Sequence, residues 1–321
     1  MKTLFISMGL LFGSLASMAQ TDGNQIFVED EVVLQTGTGE ISGTLTVPVR
    51  PGVSTVVLIV AGSGPTDRNC NSPQGIHTNA YKMLAEGFAM HGIASLRYDK
   101  RGIGKSQSAG IKESDLRFDD YVDDVAGWVS FLKGDKRFAK VVLLGHSEGS
   151  LLCILAAQRA GVAGVVSVAG AGRGIDRILR EQLRPKLPAE LFAQAGNVID
   201  SLLQERTVAS VNPMLAALFR ASVQPYLISW MKYDPAVEIA KLSVPTLIVQ
   251  GTLDMQVPVE DAKLLSAAKP GATLLMFENM NHVLKECDKE PASNLATYRQ
   301  PDLPLQEGLV DAIAGFLKSI G

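Results

Sequence analysis

The sequence predicts an α/β protein: a doubly wound, mostly parallel sheet with helices on both faces, an antiparallel N-terminal hairpin and a helical cap insertion. Three observations predict it. From Thr55 onward, short β-branched runs alternate with stretches of helical periodicity, as in strand–helix–strand units. The run Thr55–Val60 (TVVLIV) is apolar throughout, as expected of a strand buried on both faces. The two runs before it alternate apolar and polar residues, as strands with one wet face do. Right-handed crossovers between parallel strands then carry the chain over both faces.

In chain order, Glu31–Thr36 and Ile41–Val47 form the hairpin, with Gly37-Thr38-Gly39 as its turn signal. After Thr55–Val60 comes a Gly/Pro/Asn-rich loop, then helical periodicity over Tyr81–Met90 and a strand at Ile93–Leu96. Phe118–Leu132 is an amphipathic helix with Val122, Val125, Val129 and Leu132 on one stripe. Val141–Leu144 is a strand, Gly149–Arg159 a helix and Val165–Val168 a strand. Thr246–Val249 and Thr273–Met276 are strands flanking a helix at Val259–Ala268, and Leu309–Ile320 is the last helix. From Gly172 to about Val244 there is no strand pattern, and apolar residues such as Met214, Leu215, Leu218 and Phe219 recur at helical spacing. That length is too great for a loop. It reads as a helical cap lying over the carboxyl ends of the strands.

The first residues stand apart. Lys2 precedes the uncharged apolar stretch Leu4–Leu15, and Ser17-Met18-Ala19 supplies small residues before Gln20. This is the pattern of a secretory signal peptide cleaved after Ala19, too short for a comfortable membrane span. Residues 20–321 are then the exported domain, periplasmic or secreted, with no stable membrane anchor expected. Lys plus Arg number 30 and Asp plus Glu 33, a net charge of −3 that argues against a nucleic-acid partner. Hydrophobic residues make up 46% and charged residues 20%, so general disorder is excluded. Three cysteines leave at least one thiol unpaired. Cys153 sits among helical apolar residues, as a buried thiol does. Cys70 and Cys287 both lie near chemistry-bearing loops, and whether they pair is a matter of geometry. The Cys and His residues lack zinc-site spacing, so no metal is expected.

The chemistry centres on Gly145-His146-Ser147-Glu148-Gly149. It matches G-x-S-x-G, directly follows a predicted strand and opens a predicted helix, which is the context a nucleophile elbow requires. The glycines leave room for a tight turn that lifts Ser147 above the sheet. A serine hydroxyl needs a base held by an orienting acid, in the order Ser, Asp or Glu, His. Asp254 follows the strand Thr246–Val249, and His282 follows Thr273–Met276. Both therefore lie past the carboxyl ends of strands, where such sheets place ligands. Of the four histidines, His77 and His91 precede Ser147 and His146 adjoins it, which leaves His282 in order. Asp261 and Glu260 are rivals to Asp254 but fall inside a helix. An oxyanion hole needs two backbone donors. The Glu148 N–H is one, and the Ser63 N–H in the loop Ala61–Asn69 is the other by position. The Glu148 side chain complements the helix dipole in its first turn. Alternatively, it or Asp67 holds the amine of a peptide substrate. Arg68 pairs with a neighbouring carboxylate or meets an acidic substrate. Gly102–Ser106 lacks the spacing of a phosphate loop and reads as a structural turn. Leu218, Phe219, Leu227, Trp230 and Met231 either line an acyl pocket or pack the cap onto the body.

The series Gly62–Asn69, Tyr98–Ser106, Gly145–Gly149, Gly251–Asp254 and Asn281-His282 resembles the α/β-hydrolase superfamily. Within it the chain is similar to bacterial carboxylesterases of the serine aminopeptidase-like (S33-type) branch. The resemblance runs from about Val32 to Ile320. One departure is Ala61, where many members have His before the oxyanion glycine. The resemblance implies a serine hydrolase acting on small-molecule carboxylic esters through an acyl-enzyme, without a cofactor. An aminopeptidase using the same three residues is the alternative. A non-catalytic ligand binder on this fold is a third, disfavoured because Ser147, Asp254 and His282 are all present.

Overall fold

The computed structural model describes residues 25–320. The expected signal peptide lies outside the described residues. The hairpin consists of strands β1 (Phe27–Thr36) and β2 (Gly39–Pro48), each longer than the sequence pattern indicated. Their antiparallel register runs from Phe27 opposite Pro48 to Thr36 opposite Gly39. The remaining strands of the main sheet are β3 (Thr55–Val60), β4 (Ala94–Tyr98), β5 (Lys140–His146), β6 (Gly164–Val168), β7 (Thr246–Gly251) and β8 (Thr273–Phe277). In space the order is β1-β2-β4-β3-β5-β6-β7-β8. β2 meets β4 antiparallel, and every pair from β4 to β8 is parallel. This is the doubly wound, mostly parallel sheet with an antiparallel start that the sequence predicts.

Helices α1 (Ala80–Met90), α2 (Phe118–Gly134) and α3 (Glu148–Ala160) follow β3, β4 and β5. Between β6 and β7 lie α4 (Ile175–Leu183), α5 (Ala189–Leu203), α6 (Ala216–Phe219), α7 (Gln224–Met231) and α8 (Pro235–Ala240). The chain ends with α9 (Val259–Ala268), α10 (Pro291–Ala296) and α11 (Leu309–Ser319). No helix among the described residues is long and apolar enough to cross a membrane.

The pleat divides the apolar residues between two cores. Val56, Leu58 and Val60 face one, with Val141 and Leu143, beneath α2 and α3. Val57 and Ile59 face the other, with Val142 and Leu144, beneath α1 and α11. A side chain of this size contributes about 1.5–3 kcal/mol when fully buried. That two-sided burial explains why β3 carries no polar residue after Thr55. The stripe on α2 is buried as its spacing requires and includes Trp128. Its start is fixed by the Asp120 carboxylate, which accepts the Arg117 N–H at 2.7 Å.

The segment between β6 and β7 is anchored on α2. Phe118 stacks on Trp230 with ring centroids 5.2 Å apart, and the Phe118 N–H donates to Ser229 Oγ at 2.8 Å. The Gly102–Ser106 turn wraps the Asp99 carboxylate. Asp99 Oδ2 accepts the Lys105 N–H at 3.0 Å, and a Cβ on Gly104 would stand 2.6 Å from that oxygen. The stretch runs on into a 3-10 helix, Gly104–Ala109, which periodicity does not signal. All three cysteines are unpaired, with Cys70 and Cys153 buried and Cys287 half-buried. Burial pushes the Cys70 thiol up to about 11.

Candidate active site

Strand β5 ends at His146, α3 begins at Glu148, and Ser147 alone makes the turn between them. Its backbone has φ 55° and ψ −121°, a conformation that costs a non-glycine residue on the order of 1–3 kcal/mol. The two flanking glycines make the turn possible. A Cβ on Gly145 would lie 2.1 Å from the Gly149 carbonyl oxygen, and one on Gly149 would lie 2.4 Å from that of Val60. The Ser147 N–H donates to the Val168 carbonyl at 2.9 Å, which ties the turn to β6.

Asp254 lies three residues past the end of β7. Its Oδ1 accepts the backbone N–H groups of Gln256 and Val257 at 2.8 and 2.9 Å. Its Oδ2 accepts from Gln250 Nε2 at 3.1 Å and from His282 Nδ1 at 2.8 Å. Burial pushes the Asp254 carboxyl up, but the charge and hydrogen bond of His282 and the two backbone donors outweigh it and hold it below the usual range. His282 is seated in the loop after β8. Asn281 fixes that loop: its Oδ1 accepts the Val283 and Lys285 N–H groups, each at 3.1 Å. Its Nδ2 donates to Thr297 Oγ1 at 2.6 Å and Asn294 Oδ1 at 3.2 Å.

His146, the residue before Ser147, links the elbow to the loop that carries His282. His146 Nε2 donates to the His282 carbonyl oxygen at 2.7 Å, and the two rings stand 4.7 Å apart. Because that carbonyl can only accept, Nδ1 is the unprotonated nitrogen and accepts from the Tyr81 hydroxyl at 2.8 Å. Tyr81 in turn accepts the Gly62 N–H at 3.2 Å. Burial, and then the neighbouring His282, push His146 down to about 3. It is therefore neutral and serves as a strut. Among the described residues, the Ser147 hydroxyl and His282 Nε2 make no hydrogen bond to each other or to another group. Such bonds commonly close only with substrate in place.

The loop after β3 approaches Ser147 closely, since a Cβ on Gly62 would meet that of Ser147 at 3.1 Å. The N–H groups of Ser63 and Glu148 have no partner among the described residues. The Glu148 N–H is one of the orphan donors of a helix start. The Glu148 side chain is buried and stands 3.5 Å from the Lys100 ammonium, which donates to the Gly62 carbonyl at 2.6 Å. Asp67 instead organises its own loop, with Oδ1 accepting the Asn69 and Asn71 N–H groups at 2.8 Å. Arg68 pairs with Asp99 at 2.9 Å and Glu31 at 3.0 Å.

A cavity of about 680 Å³ opens at Ser147. Ser63, Gly64 and Pro65 line it on the loop side, and Leu218, Leu227 and Trp230 on the side of the inserted segment. Phe219 is fully buried and Met231 packs against the core, so those two hold the segment in place. No group of three or more metal-ligating side chains occurs among the described residues.

The sequence did not single out Tyr81, Lys100, Gln250, Asn281, Asn294 or Thr297 as supporting residues, and it set His146 aside. Lys100, Gln250, Asn281 and His146 lie within or beside the motif loops, which is the one signal they offered; Tyr81, Asn294 and Thr297 lie on helices outside them and offered none.

Comparison with known proteins bears on the family and the fold. The family described as serine aminopeptidase, S33 (Hydrolase_4) matches residues 74–288. Esterase EstD of Thermotoga maritima is 27% identical over 250 residues, covering 76% of this chain and 58% of that protein. The chain thus spans well under two thirds of EstD. The monoglyceride lipase of Homo sapiens is 27% identical over 231 residues, covering 65% of this chain and 73% of the lipase. Among solved structures, Est1E from Butyrivibrio proteoclasticus superposes with a TM-score of 0.59 at 15% identity, covering 89% of this chain and 96% of its own. A thermophilic esterase from Thermogutta terrifontis gives 0.55 at 20% identity, covering 91% and 99%. These structural likenesses establish the fold alone. The family match spans more than half of the sequence, and with the sheet order and elbow described above it places this chain in the serine aminopeptidase, S33, family of α/β-hydrolases.

Proposed function

We propose that the protein is a serine hydrolase that cleaves small-molecule carboxylic esters through an acyl-enzyme. The observation that carries this reading is the Asp254–His282 hydrogen bond of 2.8 Å in a loop that His146 joins to the strained Ser147 turn, with Ser147 lining a largely apolar cavity. Ser147 Oγ attacks the ester carbonyl. His282 Nε2 takes the hydroxyl proton and passes it to the departing alcohol. Asp254 holds the imidazole in the tautomer with its proton on Nδ1 and stabilises the imidazolium that forms. The N–H groups of Ser63 and Glu148 receive the oxyanion, and a well-aimed donor of this kind contributes about 2.7–4 kcal/mol. Water, activated by His282, then releases the acid. EstD and the monoglyceride lipase support the ester class through their names. None of these steps requires a cofactor.

The family's name favours a second reading, an aminopeptidase on the same residues. That activity needs an acidic anchor for the substrate amine. Asp67 is occupied by its own loop, and Glu148 faces the Lys100 ammonium. Comparing short acyl esters with aminoacyl anilides separates the two.

Ser147→Ala removes the attacking atom and leaves the turn intact. The variant is expected to fold normally and to lose at least about 10³-fold in kcat on p-nitrophenyl acetate. It should also fail to react with a fluorophosphonate probe. Full turnover by the variant refutes the assignment, and a wild-type protein that neither turns over nor labels is a binder.

The N-terminal pattern supports export, with cleavage after Ala19. N-terminal sequencing of the protein recovered outside the cytoplasm should begin at Gln20; a chain that retains Met1 overturns this.

A further inference from the structure

We propose that Lys100 is a positioning residue of the oxyanion hole: its ammonium fixes the Gly62–Ser63 peptide so that the Ser63 N–H faces the substrate carbonyl, with Glu148 balancing its charge. This deepens the ester-hydrolase reading and rests on it.

The carbonyl oxygen of Gly62 and the N–H of Ser63 belong to one rigid plane and point in opposite directions. Lys100 Nζ donates to that carbonyl oxygen at 2.6 Å, a short charge-assisted bond. Any rotation of the plane that turned the Ser63 N–H away from the cavity would break this bond. The ammonium also polarises the amide from its carbonyl end, which makes the N–H at the other end a stronger donor. The Gly62 N–H, on the preceding peptide, is held by the Tyr81 hydroxyl at 3.2 Å. Both peptides around Gly62 are thus fixed, and the Ser63 N–H alone is left for substrate.

The same ammonium reaches the second donor. Glu148 carries the other oxyanion N–H, and its carboxylate lies 3.5 Å from Lys100 Nζ, with side chains only 2% and 3% exposed for Lys100 and Glu148. Lys100 therefore joins residues from the ends of β3 and β5. A lone buried ammonium would be strongly disfavoured. Glu148 supplies the opposite charge, and the Tyr121 ring adds a cation–π contact with its centroid 5.1 Å from Nζ. Glu148 Oε1, the oxygen that faces the ammonium, accepts no hydrogen bond, so its contact with Lys100 is one of charge.

Two variants test the proposal. Lys100→Met removes the charge and the donor at similar length. Lys100→Met combined with Glu148→Gln does the same without stranding a buried carboxylate, and it leaves the backbone N–H at position 148 in place. Active sites are counted by titration with a fluorophosphonate, so that kcat is expressed per functional site. Losing an oxyanion donor costs about 10²–10³ in kcat, and here the donor is loosened and not removed. Both variants should therefore lose about 10- to 100-fold in kcat on p-nitrophenyl acetate, with KM changed less than about twofold. A trifluoromethyl ketone, which forms an oxyanionic adduct with a serine, should weaken by the same factor, and the double variant should melt close to wild type. If kcat per site and ketone affinity stay within about twofold, or if KM alone moves, Lys100 is a stability element only and the proposal is overturned. A wild-type protein without esterase activity, or a Ser147→Ala variant that keeps it, overturns instead the reading on which this one rests.

Discussion

Beneath the candidate nucleophile runs a chain of polar contacts from Gly62 through Tyr81 and His146 to the His282 carbonyl, and its middle member has a charge state dictated by its surroundings. Both ring nitrogens of His146 are used, one as donor and one as acceptor, and protonating it would set a second N–H against the Tyr81 hydroxyl. Burial already disfavours the cation, and the result is a value near 3 against 6.5 for a free imidazole. The folded protein thus keeps His146 neutral down to about pH 3, while the unfolded chain takes up its proton near 6.5. Between those limits the unfolded state binds more protons, so stability falls on acidification by up to about 1.4 kcal/mol per pH unit. Asp124 works the other way. Burial pushes its carboxyl up to about 6 despite Arg101, so the folded state binds the extra proton between about 6 and 3.8. His146→Gln keeps one donor and one acceptor but cannot titrate, and Asp124 is common to both proteins. Urea unfolding at pH 7 and pH 4.5 should show the wild type losing up to about 3 kcal/mol more than the variant. Equal losses would show that His146 takes up its proton in the folded state as readily as in the unfolded one.

At the scale of elements, what the sequence made legible was what local pattern decides. The β-branched runs of β3 and β5 lie on both cores, so nothing in them had to be polar, and their period could be read directly. The elbow was legible because it is a motif of five residues, in which Gly145 answers to a steric demand from Gly149, although the demand on Gly149 itself comes from Val60 on β3. Asp254 and His282 were legible by order along the chain, each just past a strand end. Strand limits were less so: β1 and β2 extend beyond their alternating cores because the partner strand, and not the residue type, decides where pairing stops. The missed features share one physical origin, dependence on contacts distant in sequence. Helix α10 is six residues long, and its value lies in placing Asn294, beside Thr297, against Asn281. No periodicity marks that. Lys100 carries no mark of its own within the Tyr98–Ser106 series, and its place between Gly62 and Glu148 is seen only once β4 delivers it there. Lys285 is similar, buried against the Leu303 carbonyl, with burial pushing it down to about 8. Burial of a lysine is decided by the packing of several elements, which a single sequence does not display.

For the whole molecule, the arrangement of sheet and inserted helices decides what the site can take. The parallel strands deliver Ser147, Asp254 and His282 to one end of the sheet, and the segment from α4 to α8 supplies part of the cavity wall. That segment is tied to α2 by the Phe118–Trp230 stack, and the chain entering it is tied to α9 by the Arg173–Asp261 ion pair at 2.6 Å. The cavity of about 680 Å³ is therefore enclosed on one side by apolar residues that do not belong to the sheet. An acyl chain entering it leaves water one methylene at a time, and each buried methylene contributes about 0.8 kcal/mol. If that contribution is realised in the transition state, kcat/KM rises by up to about fourfold per methylene. Along p-nitrophenyl acetate, butyrate and hexanoate, the wild type should therefore gain at each step. Leu227, on α7, lines the cavity, and Leu227→Trp fills part of its volume. The variant should keep its rate on acetate within about twofold and lose the gain beyond butyrate. A wild type fastest on acetate, slowing with every added methylene, would mean that the acyl group does not enter this cavity.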